Sequence, residues 1–154
     1  MSSILSWIEA TSLAKTVAES ATLTAWLSAV HVVGFALVTG AALVANLRGL
    51  GALFARSQAS DVIAAAHRAI LIGLAISVAT GAPLFAARAA DASANGSFQL
   101  KMLLLLGAAT FQFAFVGRRA VERRSALASR IVSGVALALW LGLVLAAFTF
   151  LLLE

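Results

Sequence analysis

Cysteine is absent from this 154-residue chain. That excludes disulfides, thiolate metal sites, iron–sulfur clusters and covalent c-type haem attachment. Charge is also scarce: Asp, Glu, Lys and Arg make up 11% of the residues, against about a quarter in a soluble domain. No carboxylate stands inside a long apolar run, which argues against a carboxylate relay for protons or cations across a membrane. Ser–His–Asp sets, paired acids, HExxH and glycine-rich phosphate loops are missing. The first residues lack both a basic n-region and a continuous apolar core. No cleavable signal peptide is therefore expected, and the first span is expected to serve as an uncleaved insertion signal.

What remains is apolar. Hydrophobic residues account for 62% of the chain, and the mean hydropathy is +1.04. Several apolar runs of about 20 residues indicate an integral membrane protein. The expected fold is all-α: a polytopic, four-transmembrane-helix up-down bundle forming a single domain over 1–154, with a short N-terminal interfacial helix. That helix is expected over about 2–19. Ile4, Leu5, Trp7, Ile8, Leu13 and Val17 recur there at mixed i+3/i+4 spacing, with Glu9, Lys15 and Glu19 between them. The spans are expected at about 22–47, 63–87, 98–116 and 131–153. Asn46, Arg48, Gly49 and Gly51 mark the exit of the first, and Ser60 or Asp61 is the expected N-cap of the next helix. Pro83 should free the carbonyl of Ala79 and bend the second span. AADASANGS reads as a polar, turn-rich second loop.

The net charge of +5 comes largely from arginines beside the spans, so it is read as topology and lipid contact, with no nucleic acid partner. The first and third loops hold Arg48, Arg56, Arg68, Arg118, Arg119, Arg123, Arg124 and Arg130. The N-terminal segment and second loop hold only Lys15, Arg88 and Lys101. The positive-inside rule then puts the first and third loops in the cytoplasm and both termini outside, which in a bacterial inner membrane is the periplasm.

Two ridges of small residues suggest close helix contacts: Gly134, Ala138, Gly142 and Ala146 in the fourth span, and Gly73, Ser77 and Gly81 in the second. The first span carries one ionisable side chain near its middle, His31, and such a residue is a functional candidate by default. At about 1.5 Å per residue it lies roughly 13 Å below the outer surface. Ala79, Gly107 and Gly142 fall at a similar depth, and Gly34 is one turn further along. Small residues at that level leave either a tightly packed polar residue or room for a flat cofactor. Haem b would need an imidazole such as His31 and space from Gly34, Gly107 and Gly142. The competing reading is a histidine hydrogen-bonded to Ser28, Thr24 or a neighbouring helix. His67 lies roughly 6–9 Å inside the opposite end of the second span, too far from the level of His31 for a bis-histidine site; it reads first as an interfacial residue and only weakly as an iron ligand. Met102 is a weak second candidate for iron. Gln112 and Thr110 are expected as interhelical hydrogen bonders, and Trp26 and Trp140 as interface or core residues.

AVHVVGFALVTG followed by NLRGLG, Ala29 to Gly51, resembles the first span of a bacterial four-helix membrane family of unknown function. Its pattern is a histidine, a glycine three residues on, and an L-R-x-L-G exit. TGAPLF at Thr80–Phe85, then Asn95, Phe98 and Lys101 opening LKMLLLL, is similar to that family's second loop and third span, and LxLWLG ending at Gly142 supplies a third block. The family looks distantly like copper-resistance membrane proteins and b-type cytochrome cores, which carry histidines on membrane helices. This chain departs from the family pattern where Gln112 and Gly117–Arg118 replace an Asn and a His, and where Ala146–Ala147–Phe148 replaces a Gly-Arg. His31 is the position the resemblance carries over as a ligand.

Three functions follow as expectations. The first is a small b-type-cytochrome-like subunit for electron transfer, with haem on His31. The second is a cofactor-free anchor or assembly subunit of a larger membrane complex. The third is a copper-handling membrane protein, which the absence of cysteine and the two methionines count against. Expected partners are the lipid bilayer and other membrane or periplasmic subunits, or further copies of the chain. The chain has few groups with which to act as an enzyme alone.

Overall fold

The computed structural model describes residues 2–54, 56–117 and 125–152, with side chains of residues 4–148 within those ranges. Arg118, Arg119, Arg123 and Arg124 of the third loop, and the end of the fourth span at Leu153, lie outside them. The described residues form helices α1 (Ser2–Glu9), α2 (Ser12–Glu19), α3 (Ala21–Leu50), α4 (Ala59–Ala86), α5 (Ala89–Ala94), α6 (Gly96–Phe115) and α7 (Ala126–Leu152), and no strand. By length and composition α3, α4, α6 and α7 can each cross a bilayer, which makes this a multi-pass membrane bundle.

The helices begin and end where their caps are. Ser20 accepts from the Leu23 amide at the start of α3, and Asn95 from the Phe98 amide at the start of α6. Gly51, with φ of 82°, closes α3 in the left-handed conformation that glycine adopts without a Cβ penalty. Three expectations are corrected. The N-terminal segment is two helices, because the Thr11 hydroxyl caps α2 through the Ala14 amide and bonds back to the Ile8 carbonyl. The cap of α4 is Gln58, which makes no side-chain bond, so neither Ser60 nor Asp61 sets that boundary. The alanines of the second loop coil into α5, and Glu9 accepts from the Ala90 amide in its first turn. Helix α4 runs through Pro83 to Ala86.

Helix α3 packs closely on α4 and α7, and α7 packs on α6. The α4–α6 side closes mainly through long side chains: Phe85 stacks on Phe98 at 5.5 Å, and His67 meets Phe113 at 5.0 Å. Val38, Ala42, Ile70, Ala108, Trp140 and Leu143 form the core from all four spans. At the N-terminal end of α3, α2 buries Ala14 and Val17, and the Thr24 hydroxyl of α3 donates to the Val17 carbonyl at 2.7 Å. Trp7, 71% exposed, stays on the outside of this cap, as suits an interfacial aromatic.

The second-span ridge makes the closest helix contact. A Cβ on Gly73 would sit 2.8 Å from the Gly34 carbonyl and 2.7 Å from Val38 Cγ2. The fourth-span ridge does not behave so. Ala138 is exposed, and a Cβ on Gly142 would meet nothing within 4 Å among the described residues. A strict four-residue step overshoots a helical turn by about 40° and walks off the buried face. The buried face of α7 is Ser133, Ala136, Trp140, Leu143 and Ala146. A Cβ on Gly49 would overlap the Ser133 hydroxyl, so the close α3–α7 approach lies there.

Candidate functional site

His31 is half-buried in the α3–α4 seam. Its Nδ1 lies 3.0 Å from the Ser77 carbonyl and 3.2 Å from Thr80 Oγ1. A carbonyl only accepts, so Nδ1 carries the proton and donates. The Thr80 hydroxyl spends its own proton on the Ile76 carbonyl at 2.7 Å, which leaves its lone pairs for the same Nδ1–H. Nε2 holds the lone pair. The ring lies flat enough on α4 that a Cβ on Gly81 would be 2.8 Å from His31 Cε1. Neither Ser28 nor Thr24 bonds to His31: Thr24 holds α2, and the partners of His31 are on α4.

The residues expected to make room for haem do not gather around that ring. Gly34 is beside it in the seam, but the space a Cβ would take there is filled by Ser77 Oγ at 2.8 Å and Ile76 Cγ2 at 2.9 Å. Gly107 is exposed, and Gly107 and Gly142 each open onto nothing within 4 Å. Met102 is 45% exposed on α6. The Nδ1–H to carbonyl bond is one that metal-bound histidines use, yet at Gly34, Gly73 and Gly81 the seam is closed by helix contact. Among the described residues Gly34, Gly107 and Gly142 therefore do not form a shared pocket around His31. Among the described residues no group of three His, Cys, Asp or Glu side chains comes together either.

A second polar cluster lies nearer the arginine-bearing loops and joins all four spans. Gln112 Oε1 accepts from Asn46 Nδ2 at 3.0 Å and from Trp140 Nε1 at 3.1 Å. Both are donors, and the indole N–H can only donate, so the Gln112 amide is fixed in orientation. Its Nε2 then faces His67 Nε2 at 3.3 Å as the donor, and that ring nitrogen accepts. Asn46 Nδ2 also donates to the Ala42 carbonyl at 2.8 Å, while its fully buried Oδ1 has no partner among the described residues. His67 is thus corrected from an interfacial residue to the edge of a buried network. From the level of Ser77 and Thr80 it is 10–13 residues along α4, roughly 15 Å or more from His31. Asn46 was expected only to mark a helix exit. The signal for its role was an amide at the end of one apolar run with another, Gln112, inside a second.

No family model, curated protein or solved structure matches the chain.

The His31–Gly81 contact carries a prediction. Gly81→Ala destabilises the wild type by about 1–3 kcal/mol, because the ring must leave its bond to Ser77. In a His31→Ala background the same change is nearly neutral. Unfolding titrations of the four proteins in detergent measure the coupling, and additive effects would contradict the contact.

Proposed function

We propose that this chain is a cofactor-free anchor or assembly subunit of a larger complex in a bacterial inner membrane, with both termini periplasmic. One observation carries the reading: His31, Asn46, His67, Gln112 and Trp140 each make a hydrogen bond from one span to another. His31 ties α3 to α4, and Gln112 ties α6 to α3, α4 and α7. These groups hold a scaffold together and present little to a substrate. The orientation rests on the arginines of the α3–α4 and α6–α7 connections. The exposed apolar faces are available to lipid and to neighbouring subunits.

A b-type-cytochrome-like electron-transfer subunit is the second reading, favoured by the Nδ1–H bond that leaves the lone pair of His31 on Nε2. A reduced-minus-oxidised absorbance spectrum of the detergent-purified chain, expressed with haem supplied, separates the two. The scaffold reading expects no Soret band and a fixed set of co-purifying membrane proteins. A Soret band that disappears in His31→Ala would replace it with the cytochrome. A band that survives His31→Ala would move the ligand to another side chain, with His67 tested next. Copper without a porphyrin spectrum would favour the third function.

A further inference from the structure

An open apolar groove of about 590 Å³ runs between α3 and α4 on the outside of the bundle. It extends from Ala36 to Val44 on α3 and from Val62 to Ala69 on α4, and Phe54 and Ser57 of the connecting loop stand at its end. Gly40 is exposed in its floor, with nothing within 4 Å of where a Cβ would be. The groove is short. Eight residues of helix span about 12 Å, close to one leaflet of a hydrocarbon core about 30 Å thick. Further along the same two helices, bulky side chains take over: Val33 is 65% exposed and Ile72 57%. A partner's membrane helix would need a groove through both leaflets. A single acyl chain needs one.

The loop end of the groove is basic. Arg48 donates through Nη2 to the Ser57 carbonyl at 2.7 Å, which holds its guanidinium at the groove's mouth, and its Nε has no partner among the described residues. Arg56 is exposed next to Ser57, and Arg130 of α7 reaches the same loop at Gly51. Asp61, exposed in the first turn of α4, is the one carboxylate on the loop side of the groove among the described residues. Three guanidinium groups against one carboxylate favour an anionic headgroup. We propose that this groove binds one acyl chain of an anionic phospholipid from the leaflet that meets the α3–α4 loop, with the phosphate held by Arg48 and Arg56.

The test uses the full chain in detergent, titrated with phosphatidylglycerol or with phosphatidylcholine of the same acyl chains and read by native mass spectrometry. The wild type should bind one phosphatidylglycerol in preference to phosphatidylcholine. A Cβ at Gly40 would meet no described neighbour, so Gly40→Leu extends into the open groove; its thermal midpoint should hold while its affinity for phosphatidylglycerol falls about tenfold. Arg48→Gln/Arg56→Gln should lose about tenfold for phosphatidylglycerol and little for phosphatidylcholine. Should that double variant fail to fold, Gly40→Leu alone decides. Unchanged phosphatidylglycerol binding in Gly40→Leu would overturn the proposal. So would equal affinity for the two lipids. A change of oligomeric state in Gly40→Leu would give the groove to a second copy of the chain and overturn it likewise.

Discussion

Gln112→Leu lowers the unfolding free energy by about 2–4 kcal/mol, measured by denaturant titration in detergent or by steric trapping in a bilayer mimic. The side chain is fully buried and makes three interhelical bonds, to Asn46, Trp140 and His67. Interhelical hydrogen bonds in membranes average only about 0.6 kcal/mol, with a maximum near 1.7. Three of them account for the lower part of the range. The rest comes from what leucine leaves behind: an indole N–H and an amide N–H with no acceptor, in a core that water does not enter. Trp140→Phe removes one of those donors together with its bond. It should therefore cost less in the Gln112→Leu background than alone. Equal costs would mean that the network is not coupled as described.

Gly73→Val should be at least as damaging, at about 3 kcal/mol or more. The Cβ would press on the Gly34 carbonyl, which is backbone and cannot rotate away, and on Val38. Overpacking of an ordinary core costs about 1–3 kcal/mol because side chains can shift; here the helices themselves must separate. Separation of α3 from α4 also pulls His31 from Ser77. Gly142→Val is the control, since no described residue lies within 4 Å of where its Cβ would be, and its effect should fall within about 0.5 kcal/mol of zero. Thermal midpoints of the two variants in one detergent make the comparison. Similar losses at both sites would put the close helix contact elsewhere.

These two sites divide what the sequence states from what it leaves out. The spans were legible because a bilayer imposes a length and a composition, and four runs meet both. Their starts moved outward because polar caps such as Ser20 and Asn95 let helices begin ahead of the apolar run. Gly73, Ser77 and Gly81 were legible as a contact ridge. Gly134, Ala138 and Gly142 looked the same and are not one, since a repeat of small residues does not say which way it faces. His31 was legible as a special residue by its cost in a membrane. Its partners were not, because register between two helices is set by where ridges interlock and not by either helix alone. Asn46 illustrates the same limit: a polar residue at the end of an apolar run is explained equally by a surface or by a partner 66 residues away.

That separation has a consequence for how the protein is made. The first span leaves the ribosome carrying a histidine and an asparagine whose partners do not yet exist. The carbonyl that takes the His31 proton is 46 residues downstream, and the amide that takes the Asn46 proton is 66 residues downstream. At about 5–20 residues per second, the asparagine waits roughly 3–13 s. During that time α3 must rest against water, lipid headgroups or the insertion machinery, and α1 and α2 have no α5 or α4 to dock on. The nascent chain is therefore expected to stay at the translocon until its third span arrives, and to leave as a nearly complete bundle.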